Sequence, residues 1–399
     1  MKSSLESSLK SRMKTLSGEM RFLLNLLSNY SSYMEAAAAR SIDTRYINWD
    51  LFVELTIHHR IYPYIYPLLK RNSESLGVPD EIMQELQALY TRNTFQMLYF
   101  SGEMELLGRM FAEYDIQCLF LKGPVLARDL YGDLSMRTSC DLDLLLPLGQ
   151  LEQAEALLQD QGYIKKDYIR TILNDWKWRH HHFVYTHPEK GIKVELHWRL
   201  NPAPAREPSF GELWSRRRTS TLLKYPVYYL GKEDLFFFLT AHGARHGWSR
   251  IRWLVDIKLL LIQGLNVRFL MKLMKENRFF HVGGQALVLA DVLIAAPMDH
   301  SLEPMRQSKK SLRLAEEAMF YVERMINLHS GPLPDDEDRY HKNHQYTLLD
   351  PSRKVLFLLS TLFPYPEDAA RLPLPRPLHF LYFPLRPVLW MWRKIGGPR

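Results

Sequence analysis

Apolar residues fall at helical spacing through the first quarter of the chain. Phe22, Leu23, Leu26 and Leu27 form one stripe, and Asp50 to His59 carries another that is expected to end at the Pro63 and Pro67 region. Val78-Pro79-Asp80-Glu81 reads as the start of a long helix through Met110. At Ile116 the pattern changes. Ile116 to Leu121 is a short apolar run stopped by Lys122-Gly123-Pro124, as a buried strand would be. Pro124 suits the first position of a helix of about two turns, and Gly132 suits its end.

Cys140 to Leu146 predicts a second strand ended by Pro147, and Leu151 to Gln161 the next helix. A hairpin follows: His181 to Tyr185, a turn over His187-Pro188-Glu189-Lys190-Gly191, and a return strand from Lys193 to Trp198. From Lys232 to Gln263 the helical period resumes, and helices are expected to continue to Leu328. These spans predict an α+β fold, a small mixed sheet with helices on one face, flanked by helical regions. The expected division is an N-terminal helical region over 1–113, a sheet-bearing core over 114–225, a helical domain over 226–330 and a Pro-rich, aromatic tail over 331–399.

Composition narrows the class. With 399 residues, 46% hydrophobic and 24% charged, the chain is neither collagen-like, mucin-like nor wholly disordered. Cys118 and Cys140 are too few for a cysteine metal cluster, and the opening residues lack the apolar stretch of a secretory signal, so a cytoplasmic location is expected. The net charge of +8 suits phosphate-bearing ligands without selecting one, and the run Arg216-Arg217-Arg218 is expected to be a solvated face. In the tail, Pro384, Arg386 and Pro387 interrupt any membrane-spanning helix. Trp390, Trp392, Arg393 and Lys394 suit the headgroup level, which makes peripheral membrane contact one expectation and docking on the parent domain the other.

Candidate chemistry sits in the core. Asp141 and Asp143 are one residue apart on a predicted strand, so both carboxylates are expected on one face. Paired carboxylates of this kind hold divalent ions that clamp the attacking and leaving oxygens of a phosphoryl displacement; two Mg²⁺ ions are expected, with Mn²⁺ as a substitute. On the return strand Glu195, His197 and Arg199 share a face, which makes Glu195 the natural third carboxylate; its alternative is an ion pair with Lys193 or Arg199. Lys122-Gly123 lies at a strand-to-helix turn, where free N–H groups can cradle phosphate.

The segment LFLKGPVLARDLYGDLSMRTSCDLDLLLP, followed by VELHWRL, resembles the nucleotidyltransferase fold of the DNA polymerase β-like superfamily. More narrowly it is similar to a poorly characterised bacterial nucleotidyltransferase family, whose helical H-G-x-x-H-G-W…R-W-L-x-D-I motif corresponds to His242 to Ile257. The resemblance covers roughly residues 50–260. It implies that Lys122 and Gly123 stand in place of the superfamily's usual Gly-Ser pair, so that Lys122 replaces a serine contact electrostatically. It further implies that Asp141 and Asp143 are metal ligands and Glu195 is the third acid. Arg137 is a second phosphate candidate, its alternative being a surface ion pair.

The histidines are weighed separately. His242 and His246 have helical i, i+4 spacing but lack the glutamate of a metalloprotease motif. Gly243 and Gly247 are expected to let that helix approach the sheet, with Arg245, His242, His246 and Asp256 as pocket or interdomain residues and Trp248 as packing. Strand alternation is expected to separate His181 from its neighbours, leaving His182 and His197 near the site. The expected activity is Mg²⁺-dependent transfer of a nucleoside monophosphate from an NTP, with release of pyrophosphate. The acceptor is expected to be a small molecule, peptide or protein rather than nucleic acid. The alternatives are a transferase using a nucleotide-linked sugar or other donor, and a catalytically silent nucleotide-binding or membrane-docked partner.

Overall fold

The computed structural model describes residues 2–35, 44–166, 171–220, 222–328, 331–360 and 362–396; the side chains of Arg393 and Lys394 lie outside the described residues. Seven strands form one mixed sheet: β1 (Leu119–Phe120), β2 (Leu142–Leu145), β3 (Ile164–Lys165), β4 (His182–His187), β5 (Ile192–His197), β6 (Arg218–Ser220) and β7 (Val227–Tyr229). Their spatial order is β3-β4-β5-β2-β1-β7-β6. The central strand β2 runs parallel to β5 and antiparallel to β1, and β4 and β5 form the expected hairpin. The strands β3, β6 and β7 are too short to display a two-residue period, so pattern alone does not reveal them.

Alternation along β2 sorts the core. Leu142 and Leu144 pack with Phe100, Met104 and Phe111 of the long helix Asp80–Glu113. Leu145 points the other way, joining Leu119 and Leu121 in the larger core built with the N-terminal helices and those between residues 232 and 323. Helical residues therefore cover both faces, not one, and the face that carries Asp143 is buried.

The Pro63 and Pro67 region does not simply terminate a helix. It opens a further one, Tyr62–Leu76, because Pro63 lies in the first turn, where its missing N–H has no partner to lose. The helical run from Lys232 to Gln263 is two helices, Lys232–Arg245 and Ile251–Ile262. They are separated by a turn in which Gly247 and Trp248 have φ of 60° and 56°. Glycine is required at 243 and 247 by aromatic packing rather than by the sheet: a Cβ at Gly243 would stand 2.5 Å from the Trp248 ring, and one at Gly247 2.5 Å from Tyr321.

Most described residues from Asp335 onward are helical. Asp335–Leu348 packs on the Lys232–Arg245 helix, with His344 Nε2 3.2 Å from the Ala244 carbonyl. The helices Pro351–Ser360 and Tyr382–Gly396 follow, and Tyr382 and Leu389 bury against Ile172 in a small cluster of their own. Among the described residues no helix is long and apolar enough to cross a membrane. The Arg216–Arg218 run is not a solvated face. Arg216 pairs with Asp234 at 2.8 Å, Arg217 stacks on Trp214 and Arg218 pairs with Asp129 at 2.9 Å.

Candidate active site

Strand register assembles the acidic cluster. Asp143 of β2 is the direct partner of Glu195 on parallel β5, and His197 of β5 is the antiparallel partner of His182 on β4. Side chains two residues apart on a strand share a face, so Glu195 and His197 converge on the Asp143 side. His197 Nε2 lies 3.2 Å from Asp143 Oδ1 and 3.5 Å from Glu195 Oε2. His182 Nε2 is 3.7 Å from the same Glu195 oxygen.

Asp141 precedes β2 and is held by the loop behind it: the Ser139 hydroxyl donates to the Asp141 carbonyl at 2.9 Å, and Gln96 of the long helix donates to the Ser139 carbonyl at 2.9 Å. Its carboxylate joins the cluster through Lys193, whose Nζ lies 2.7 Å from Asp141 Oδ2 and 2.9 Å from Glu195 Oε1. Lys193 is two residues from Glu195, so the strand period already places it on the acidic face; the sequence reading treats it only as an ion-pair alternative. On the other side Lys122 Nζ lies 3.0 Å from Asp143 Oδ1. The next residue, Gly123, has φ of 82°, a conformation that an L side chain would strain, and Pro124 begins the following helix.

The electrostatics are those of carboxylates held charged among cations. Burial alone would raise Glu195, yet hydrogen bonding to His197 and the charges of His197, His182 and Lys122 hold it well below the usual carboxylate range. Asp141 is likewise pushed up by burial and pulled below its ordinary value by Lys122 and Lys193. His197 responds inversely: burial lowers it, and hydrogen bonds to Asp143 and Glu195 carry it above the ordinary histidine value.

The donor set fits a divalent cation. Asp143, Glu195 and His197 each offer an atom within 4.8 Å of the others, and the buried Asp143 Oδ2 makes no hydrogen bond. Asp141 is not in that group; it faces the cluster across Lys193. A second group, His181, His182 and His197, corrects the expected separation of His181. His181 lies just before β4, outside its alternation, and its Nε2 stands 3.1 Å from His182 Nδ1.

The remaining candidates divide by role. Arg137 is neither a surface ion pair nor an open phosphate contact. It is 1% exposed, and its Nε and Nη2 donate to Asp256 at 2.9 and 3.0 Å. Tyr131 donates to the same carboxylate at 2.7 Å, while Arg252 Nη1 donates to the Thr138 carbonyl and hydroxyl at 2.6 Å each. These bonds fasten the Ile251–Ile262 helix to the loop that enters β2. The His242 and His246 rings lie 4.6 Å apart between centroids, tilted by 51°, and pack on Trp253. Among the described residues they belong to no three-member donor group. Arg245 stands apart: its Nη2 reaches His242 Nδ1 only at 3.5 Å, and its buried Nη1 makes no hydrogen bond.

Residues 46–295 match the model of a family described as an uncharacterised nucleotidyltransferase. No curated protein and no solved structure matches the chain.

Proposed function

The chain belongs to this uncharacterised nucleotidyltransferase family, and from that premise we propose that it moves a nucleoside monophosphate from an NTP to an acceptor oxygen, releasing pyrophosphate. The observation that carries the reading is the pairing of Asp143 with Glu195 across β2 and β5, with Asp141 tied to the same cluster and Lys122-Gly123 at its edge. Asp143 and Glu195, with Asp141 and His197 beside them, would hold Mg²⁺, or Mn²⁺ in its place. When bound, such ions neutralise charge on the phosphates.

The chain's own part is positioning. Lys122 is a mobile point charge that exchanges Asp143 for a phosphate oxygen, and the Gly123 turn lets a phosphate approach the backbone. Lys193 keeps Asp141 and Glu195 together against their mutual repulsion. In the transfer, an acceptor oxygen forms a bond to the α-phosphorus, the bond from that phosphorus to the bridging oxygen breaks, and pyrophosphate leaves with the electron pair. Where the acceptor is a hydroxyl, its proton passes to water. The acceptor is a small molecule, peptide or protein rather than nucleic acid, since half-buried pairing and stacking of the Arg216–Arg218 run leave no basic stripe there for a phosphate backbone.

The test is label transfer from each α-labelled NTP with Mg²⁺ and a cell extract, in the wild type and in Asp143→Asn. Labelling that is Mg²⁺-dependent and lost in the variant is expected. Equal labelling by both proteins would remove the carboxylate assignment.

A second reading concerns location. The helices Pro351–Ser360 and Tyr382–Gly396 present Leu356, Val388, Met391 and Trp392 about half exposed, with Lys354 two residues before Leu356 and Arg371 5.1 Å over the Trp392 ring. Apolar and basic side chains so mixed support peripheral contact with an anionic membrane surface by a cytoplasmic protein.

A further inference from the structure

A cavity of about 530 Å³ lies beyond the far end of β5 from the Gly123 turn. Register fixes this arrangement. The Leu121 N–H donates to the Asp143 carbonyl, and β1 runs antiparallel to β2, so Lys122 and Gly123 lead toward Asp141. β5 runs the opposite way to β1, and the loop 201–205 that follows its last residues forms one wall of the cavity. Asp143 and Glu195 therefore stand between the phosphate-binding turn and the cavity along the strand direction. An in-line displacement places the leaving pyrophosphate and the attacking oxygen on opposite sides of the phosphorus, so an acceptor belongs on the cavity side.

The walls state the chemistry. Pro202, Ala241, Ala244, Phe279, Val282 and Phe357 make most of the lining apolar. The charged lining residues are Arg245, Lys342 and Arg353, and among the described residues no carboxylate lines the cavity. Arg353 is already engaged by Asp350 at 3.1 Å, whereas Arg245 keeps a buried Nη1 with no hydrogen-bond partner. A guanidinium that lines a cavity without a carboxylate partner is a group that a ligand anion satisfies. Burial lowers Arg245 to about 10, with Glu195 and Asp143 acting the other way, so it stays charged at neutral pH and within the field of the acidic cluster. Phe357 belongs to the Pro351–Ser360 helix, whose Val355, Leu356, Leu358 and Leu359 are each more than half exposed.

We propose that this cavity is the acceptor site and that it takes an amphiphilic anion, its apolar body against Phe279, Val282 and Phe357 and its phosphate or carboxylate on Arg245. The proposal rests on the transferase reading for the word acceptor, and on the cavity alone for the ligand class.

The experiment is calorimetric titration of the full chain with octyl phosphate, octanoate, octanol and inorganic phosphate. It compares the wild type with Arg245→Gln and with Asn343→Trp, a substitution at an exposed rim position that fills the mouth without disturbing the core. Octyl phosphate and octanoate are expected to bind the wild type, and inorganic phosphate is expected to bind at least 10-fold more weakly than octyl phosphate. Arg245→Gln should weaken the two anions by roughly 10-fold and leave octanol unchanged. Asn343→Trp should weaken all three eight-carbon probes while its melting temperature and its affinity for each Mg²⁺-NTP match the wild type. Equal binding of octyl phosphate to all three proteins, or inorganic phosphate binding as tightly as octyl phosphate, would overturn the proposal. Label transfer is scored separately: no transfer with any NTP, beside intact cavity binding, would remove the acceptor role and with it the transferase reading.

Discussion

Asp143 and Glu195 are direct partners on parallel strands, and His197 Nε2 bridges them at 3.2 and 3.5 Å. Two carboxylates on adjacent strands at one register repel each other, and the protein offsets that repulsion with Lys122, Lys193 and His197, which hold Glu195 well below the usual carboxylate range. The donor atoms are thus gathered for a cation.

Glu195→Gln keeps the size of the side chain and removes its charge. Single-turnover transfer should fall by about 10²-fold or more, while Mg²⁺-NTP affinity changes little, because the loss falls on the acceptor side of the cluster. Calorimetry and rapid-quench measurements on one preparation separate the two quantities. Wild-type rates, or a fall in melting temperature that accounts for the lost activity, would point to a purely structural ion pair with Lys193.

Arg137 and Asp256 form a buried pair whose halves depend on each other. Arg137→Met alone leaves the Asp256 charge buried and should cost about 3–5 kcal/mol of stability. The double variant Arg137→Met with Asp256→Leu should recover most of it. Denaturant unfolding of the single and double variants measures the coupling, and additive losses would show that the pair does not act as a unit.

Buried histidines should make stability decline on acidification. Burial lowers His281 and His58 from 6.5 to about 4 and puts His59 well below 6.5, with Arg250 also opposing protonation of His58. These rings stay neutral in the folded chain and take up protons near 6.5 when unfolded. The unfolded state thus binds more protons between those values, and stability falls as pH drops from 6.5 toward 4. His281→Gln retains a donor for the Leu348 carbonyl, which His281 Nε2 approaches at 2.6 Å, and should flatten the pH dependence of the melting temperature. An unchanged slope would exclude His281 from this linkage.

The exposed residues of the C-terminal helices should carry vesicle binding. Deleting this region would strip Tyr382 and Leu389 from their cluster with Ile172, so point substitutions are the cleaner test. Leu356→Ser, Val388→Ser and Met391→Ser together should lower co-sedimentation with phosphatidylserine-containing vesicles several-fold at an unchanged melting temperature. Equal sedimentation would reject membrane contact through these helices.

Local pattern determined much of this architecture. The run Ile116 to Leu121, the Lys122-Gly123-Pro124 turn, the strand after Asp141 and the hairpin into Glu195 are each written in short-range periodicity and turn chemistry, because strand alternation and glycine or proline geometry act over a few residues. That Asp143 faces Glu195 and not another residue is a matter of register between strands some fifty positions apart, which no local period encodes. Burial of the Asp143 face likewise depends on helices distant in sequence joining Leu145 in one core. The same distant packing decided that Arg137 meets Asp256, that Gly247 receives Tyr321, and that loop 201–205, Arg245 and Phe357 enclose one cavity. In sequence these residues are separate polar, small or aromatic positions with several readings each. Only the closure of the chain, which sets the partner of every buried charge and the filling of every gap, selects among them.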